Sequence, residues 1–173
     1  MKQNYKTTLK VLVIFIIGFW ILFKLPFNKN INLEISAHIY ESGVVTGETK
    51  VVIDGERSNY LFTDDERFYG KFNILSYEKT GREDMFASIQ WNNDDNIQQL
   101  TYFQNATFPS MEIISTLIVN EKMTQFALMF RDGTVIATSD EVYKLYTAHI
   151  SYDSDAGSTS VKAVNKIPKM YVE

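Results

Sequence analysis

The sequence predicts a mainly β chain: an N-terminal transmembrane helix, then a small antiparallel β-sandwich or open barrel with one short helix near the C-terminus. Three observations carry this. An unbroken apolar run, VLVIFIIGFWILF, occupies positions 11–23 between Lys10 and Lys24. Beyond it, short stretches alternate apolar and polar residues with period two, as in a strand with one buried face. Turn-forming Asp, Asn and Gly residues separate those stretches at the short spacing of all-β domains.

The apolar run is thirteen residues long. At 1.5 Å per residue it covers only roughly 20 Å of a hydrocarbon core about 30 Å thick. Thr7, Thr8 and Leu9 on one side, and Leu25, Pro26 and Phe27 on the other, extend it to a spanning length if Lys10 and Lys24 snorkel to the interfaces. A basic start and a short apolar core also open secretory signals, but KLPFNKNINLE, which follows, holds no A-x-A-like cleavage site and the chain has no cysteine for a lipobox. The expectation is therefore a retained signal-anchor over residues 9–27, with residues 1–8 as a cytoplasmic tail. Lys2, Lys6 and Lys10 place the N-terminus inside, and Phe19, Trp20, Phe23 and Phe27 supply an aromatic belt at the outer end.

Residues 28–173 form one extracytoplasmic domain by length. They hold all twenty-one acidic residues against thirteen basic ones, a formal charge of −8. Such a domain repels phosphate backbones, which argues against a nucleic-acid partner. The absence of cysteine removes disulfides, thiolate metal sites and cysteine nucleophiles, so the core alone must stabilise the domain.

Asn28 to Asn32 read as a short polar stalk, and Ile31, Leu33, Ile35, Ala37 and Ile39 as the buried face of a first strand. Gly43 and Gly47 bracket a turn, and a short strand from Lys50 to Ile53 ends at Asp54-Gly55. Phe68, Gly70, Phe72 and Ile74 mark a strand in which Gly70 signals a bulge or a close backbone approach. Residues 85–91 and 97–103 flank Asn92-Asn93-Asp94-Asp95-Asn96 as a hairpin. Residues 111–119 are β-branched and read as a strand. Asp132-Gly133 predicts a type I′ hairpin turn between residues 125–131 and 134–138. Ser139-Asp140-Glu141 is an N-cap signature, followed by Val142, Leu145, Tyr146 and His149 at helical spacing.

No motif assembles a catalytic set. Ser76-Tyr77-Glu78-Lys79-Thr80-Gly81 contains both S-x-x-K and K-T-G, but the two overlap on Lys79, whereas penicillin-recognising enzymes place them on separate elements. His38 and His149 are the only histidines, and no G-x-S-x-G elbow accompanies them. Asn92, Asp94 and Asn96 resemble the start of a calcium loop, with Ile97 where glycine is needed and Phe103 where glutamate is needed; Asp153, Asp155 and Gly157 form a second fragment. Asn105-Ala106-Thr107 matches a glycosylation acceptor. Tyr69 and Tyr77 could stack on a sugar or anchor a partner, but ordinary cross-strand packing is the favoured reading. No catalytic, cofactor-binding or metal residue is assigned and no cofactor is expected.

Phe68-x-Gly70-x-Phe72-x-Ile74, preceded by Asp54-Gly55 and Tyr60-Leu61-Phe62 and followed by Asp132-Gly133-Thr134-Val135-Ile136-Ala137, resembles small uncharacterised membrane-anchored extracytoplasmic proteins of Gram-positive bacteria. That resemblance implies an envelope location and carries no activity. The functional expectation is a single-pass membrane protein whose outer domain is a binding or accessory module for an envelope protein. A small envelope hydrolase or metal-dependent enzyme, and an immunity or stress factor, are the alternatives.

Overall fold

The computed structural model describes residues 2–60, 66–91, 97–104, 110–152 and 161–163. Helix α1 (Lys2–Lys24) leads into strands β1 (Pro26–Glu41), β2 (Val44–Tyr60), β3 (Glu66–Ile74), β4 (Met85–Gln90), β5 (Gln98–Gln104), β6 (Ser110–Val119), β7 (Phe126–Met129) and β8 (Val135–Ala137). Each strand pairs antiparallel with the next, and β8 returns to β1 through His38–Ala137, Ile39–Ile136 and Tyr40–Val135, closing an eight-stranded barrel. Helix α2 (Asp140–His149) follows, and β9 (Ile150–Tyr152) pairs with β10 (Val161–Ala163) in a separate small sheet.

The period-two pattern decides what fills the barrel. Val51 and Ile53 of β2, Phe68, Phe72 and Ile74 of β3, Met85, Ala87 and Ile89 of β4, Leu100 and Tyr102 of β5, and Phe126 and Leu128 of β7 are buried in one cluster. Eight strands enclose a space that side chains can fill. The rings of Phe72 and Phe126 meet edge to face with centroids 5.3 Å apart. A second cluster lies outside the barrel wall, where Val142 and Tyr146 of α2 cover Ile118, Ala127, Val135, Ala137 and Tyr40. The Tyr146 hydroxyl donates to Thr116 O at 3.0 Å and ties α2 down. Ser139 caps α2, its Oγ accepting from Val142 N–H at 3.3 Å, with Asp140 and Glu141 in the first turn as the helix dipole favours.

Barrel closure requires sharp coiling of β2 against β3. Gly55 and Gly70 face each other in that pair. A Cβ on Gly55 would lie 2.5 Å from Tyr69 O and 2.9 Å from the ring of Phe68, so the close approach expected of Gly70 is a contact between two glycines.

Five expectations are corrected. The sheet is neither a sandwich nor an open barrel, because β8 completes the ladder to β1. The stalk at residues 28–32 is strand, paired with residues 54–58 of β2. Asp54-Gly55 does not end a strand; β2 runs through it to Tyr60, and Gly55 allows the close approach to Gly70. The β7–β8 hairpin is present, but its turn is not type I′: Gly133 has φ +85° while Asp132 has no positive φ, and Gly133 N–H donates to Phe130 O at 3.0 Å, a three-residue loop closed by a left-handed glycine. The two-residue turn with both φ values positive falls instead at Ser42 (49°) and Gly43 (86°) between β1 and β2. Finally, the helix expected over residues 9–27 has other bounds: α1 runs from Lys2 to Lys24, and Pro26 opens β1. No helix among the described residues is long and apolar enough to cross a membrane. The physical reason is the brevity of the run between Lys10 and Lys24.

Candidate functional site

Three polar arrangements interrupt the apolar packing. The first sits inside the barrel end where β2 stops and β3 begins. Arg57 is in phase with Val51 and Ile53 and therefore points inward. Its Nε donates to Glu66 Oε1, and the two side chains are only 11% and 15% exposed. The guanidinium lies over the Trp91 ring, 4.8 Å from the centroid. Trp91 N–H donates to Glu66 O at 2.9 Å, which joins the ion pair to the end of β4, and Gln98 is buried in the first residue of β5. Both charges are neutralised in place, as burial demands.

The second arrangement is a seam in the wall. β3 and β4 pair only from Arg67–Gln90 to Gly70–Ala87, and beyond Gly70 they part. Side chains replace the missing ladder. Lys71 Nζ donates to the carbonyls of Arg82, Glu83 and Met85 at 3.2, 2.6 and 2.6 Å and lies 4.3 Å from the Phe86 ring centroid. Tyr102, fully buried, donates its hydroxyl to Phe72 O at 2.7 Å, and burial raises its pKa well above the tyrosine range. The strap between the parted strands includes a 3₁₀ turn at Glu78–Gly81. Thr80, 1% exposed, holds it: its Oγ1 accepts from Ile74 N–H at 2.8 Å and donates to Tyr77 O at 2.8 Å. Outside the strap, Gln104 donates to the Asp84 carboxylate at 2.7 Å and holds its pKa below the usual range.

The third lies under α2. Tyr40 donates to Asp140 and stacks on Tyr143 with ring centroids 3.9 Å apart. Burial first, and then the bond to Asp140, push the Tyr40 pKa up to about 12. His38 stands edge-on to Tyr40, and its Nδ1, buried without a hydrogen-bond partner, is 3.8 Å from Glu48.

The residues singled out from the sequence do not converge. His38 lies on β1 with Tyr40, whereas His149 ends α2 with Nδ1 2.9 Å from Leu145 O. Ser76 and Lys79 are exposed on the strap, and within that motif it is Thr80 that is buried. Tyr69 is half exposed and stacks on Phe86 across β3 and β4, whereas Tyr77, on the strap, stacks on Phe130 against the core. The Asn92–Asn96 loop, Asn105-Ala106-Thr107 and the Asp153–Gly157 fragment lie outside the described residues. Among the described residues, no group of three or more His, Asp or Glu is placed to hold a metal ion. Sequence reading missed the Arg57–Glu66–Trp91 cluster, although the alternation that places Val51 and Ile53 inside extends to Arg57.

The class that fold and sites define is a closed, eight-stranded antiparallel barrel with one helix on its wall and one leading into it. No family model, no curated protein and no solved structure matches the chain.

Proposed function

We propose that this is a membrane-held binding module: α1 seats in the bilayer with its N-terminus on the cytoplasmic side, and the barrel stands outside as an accessory domain for an envelope protein. One observation carries the reading. Twelve large apolar side chains of α1, from Leu9 to Leu22, are each between 46% and 73% exposed, all around the helix. Surface of that extent calls for an apolar partner, and a helix apolar on every side suits lipid better than a protein groove. The run is short for a span, which lysine snorkelling and local thinning of the bilayer accommodate. The acidic barrel and the basic N-terminal residues lie on the sides that the charge asymmetry favours.

The test is alkaline carbonate extraction of membranes from cells expressing the full chain, followed by protease treatment of intact cells. The chain should stay with the membrane pellet and the barrel should be cleaved from outside. Release into the carbonate supernatant would overturn the anchor, and protection of the barrel would overturn the orientation. Crosslinking in intact cells should then recover a reproducible envelope partner.

A further inference from the structure

We infer that the barrel does not hang from a tether but rests on the bilayer with one particular end, the rim carrying Phe27, Asn59 and Trp91, while the Ser42-Gly43 and Asp132-Gly133 turns point away. This rests on the anchor reading above and adds the surface that touches lipid. The helical hydrogen bonding of α1 persists to Leu25, whose N–H donates to Ile21 O at 3.1 Å, and strand pairing begins at Pro26, opposite Tyr60. Leu25 is therefore the whole connection between helix and barrel. Pro26 further restricts that joint, because its ring fixes φ and biases the preceding residue towards extended backbone.

A joint of one residue fixes which end of the barrel meets the headgroups. β1 leaves the membrane at Pro26 and ends sixteen residues later at Glu41. Sixteen residues at about 3.3 Å, tilted by about 40° as barrel strands are, raise its far end on the order of 40 Å. The near rim comprises the start of β1, the end of β2, the start of β3 and the end of β4. Its chemistry suits the interface. Leu25 and Phe27 are 50% and 53% exposed at the joint, and apolar and aromatic side chains favour the boundary between headgroup and acyl chain. Just inside the rim, Arg57 and Glu66 neutralise each other beside Trp91, so this ion pair brings no uncompensated charge towards lipid. At the far end Glu41, Ser42 and Asp132 are exposed together with Val44 and Val45, so it is the one-residue joint, not apolar surface alone, that selects the near rim.

The chain has no cysteine, so single cysteines report cleanly on position. Gly18→Cys in α1, Asn59→Cys on the near rim and Val44→Cys at the far hairpin, each labelled with a fluorophore, are reconstituted as the full chain in zwitterionic phosphatidylcholine vesicles carrying a headgroup-level quencher. Gly18 has open space around it, and Asn59 and Val44 are exposed. The label at position 59 should be quenched several-fold more than the label at 44. Inserting eight Gly/Ser residues between Leu25 and Pro26 should bring the two close to equality. Equal quenching at 59 and 44 without the insertion, or quenching at 59 that survives it unchanged, overturns the rim contact even when position 18 is quenched. Position 18, midway along the apolar run, is read in a parallel set of vesicles carrying an acyl-chain quencher; absence of that quenching removes the anchor itself, and the rim contact with it.

Discussion

Gly55 and Gly70 face each other across β2 and β3 so closely that a Cβ on Gly70 would meet the backbone of Asp54 and Gly55 rather than a side chain able to move aside. The two backbones approach at this pair with no side chain between them, and the Phe68 ring lies close to the place where Gly55 has no side chain.

Gly70→Ala should therefore destabilise the barrel by about 1–3 kcal/mol, the usual range for overpacking a rigid site, and more if the β2–β3 coil cannot relax. Gly55→Ala should behave similarly, and the double variant should be no better than the worse single one, since both add bulk to one gap. Urea unfolding followed by tryptophan fluorescence measures this. A midpoint for Gly70→Ala at or above that of the parent chain would show that the approach is not a constraint.

Lys71 supplies the second prediction. Its ammonium replaces the β3–β4 ladder at three carbonyls, while its stem packs near the ring of Phe86. Lys71→Met retains most of the stem and removes the donors. The cost should be about 1–3 kcal/mol, the penalty for carbonyls left without partners, reduced where water reaches them. Amide hydrogen exchange should accelerate across residues 75–85 more than in β5 or β7, because the strap loses its attachment. Uniform acceleration over the barrel would mean that the seam is not a separate unit.

These two sites show what the sequence made legible. Alternation at Phe68, Phe72 and Ile74 identified β3 and its inward face, and Gly70 within it announced a close approach, because a glycine in a strand has few other uses. Its counterpart, Gly55, read as a strand end, since Asp-Gly is a turn signal locally and only pairing with β3 reveals otherwise. Closure was not legible for the same reason: it depends on three residue pairs between β8 and β1, nearly a hundred positions apart. The α2 helix was read correctly because its cap, acidic first turn and apolar spacing are all local. Of the polar sites, the Lys71 seam had no sequence signal at all, as the carbonyls it serves become free only when β4 parts from β3.

The ion pair inside the near rim gives a third prediction. Arg57 and Glu66 are almost buried, so removing one partner strands the other. Arg57→Ala should cost about 3–5 kcal/mol and loosen Trp91, with a red shift of its emission. Replacing both together, Arg57→Met with Glu66→Leu, should recover most of that loss, because an apolar pair of similar volume needs no solvation. A double variant as unstable as Arg57→Ala would mean that the pair positions the strands through geometry the apolar pair cannot reproduce.

The last prediction concerns alkaline pH. Tyr40 has its pKa pushed up to about 12 by burial and by its bond to Asp140. In the unfolded chain it titrates near the ordinary tyrosine value of about 10. Between those values the unfolded chain has released a proton that the folded chain still holds, so stability must fall as pH rises through that window, and Tyr40 contributes in full only below it. Tyr102 and Tyr146, both raised by burial, add to the same slope. Tyr40→Phe should lower stability at neutral pH by about 1 kcal/mol through loss of the bond to Asp140, yet lose less with each unit of pH between about 10 and 12. Urea midpoints measured across that range for the two proteins should therefore converge. Parallel curves would show that Tyr40 keeps an ordinary pKa in the folded barrel and that its bond to Asp140 does not hold the proton there.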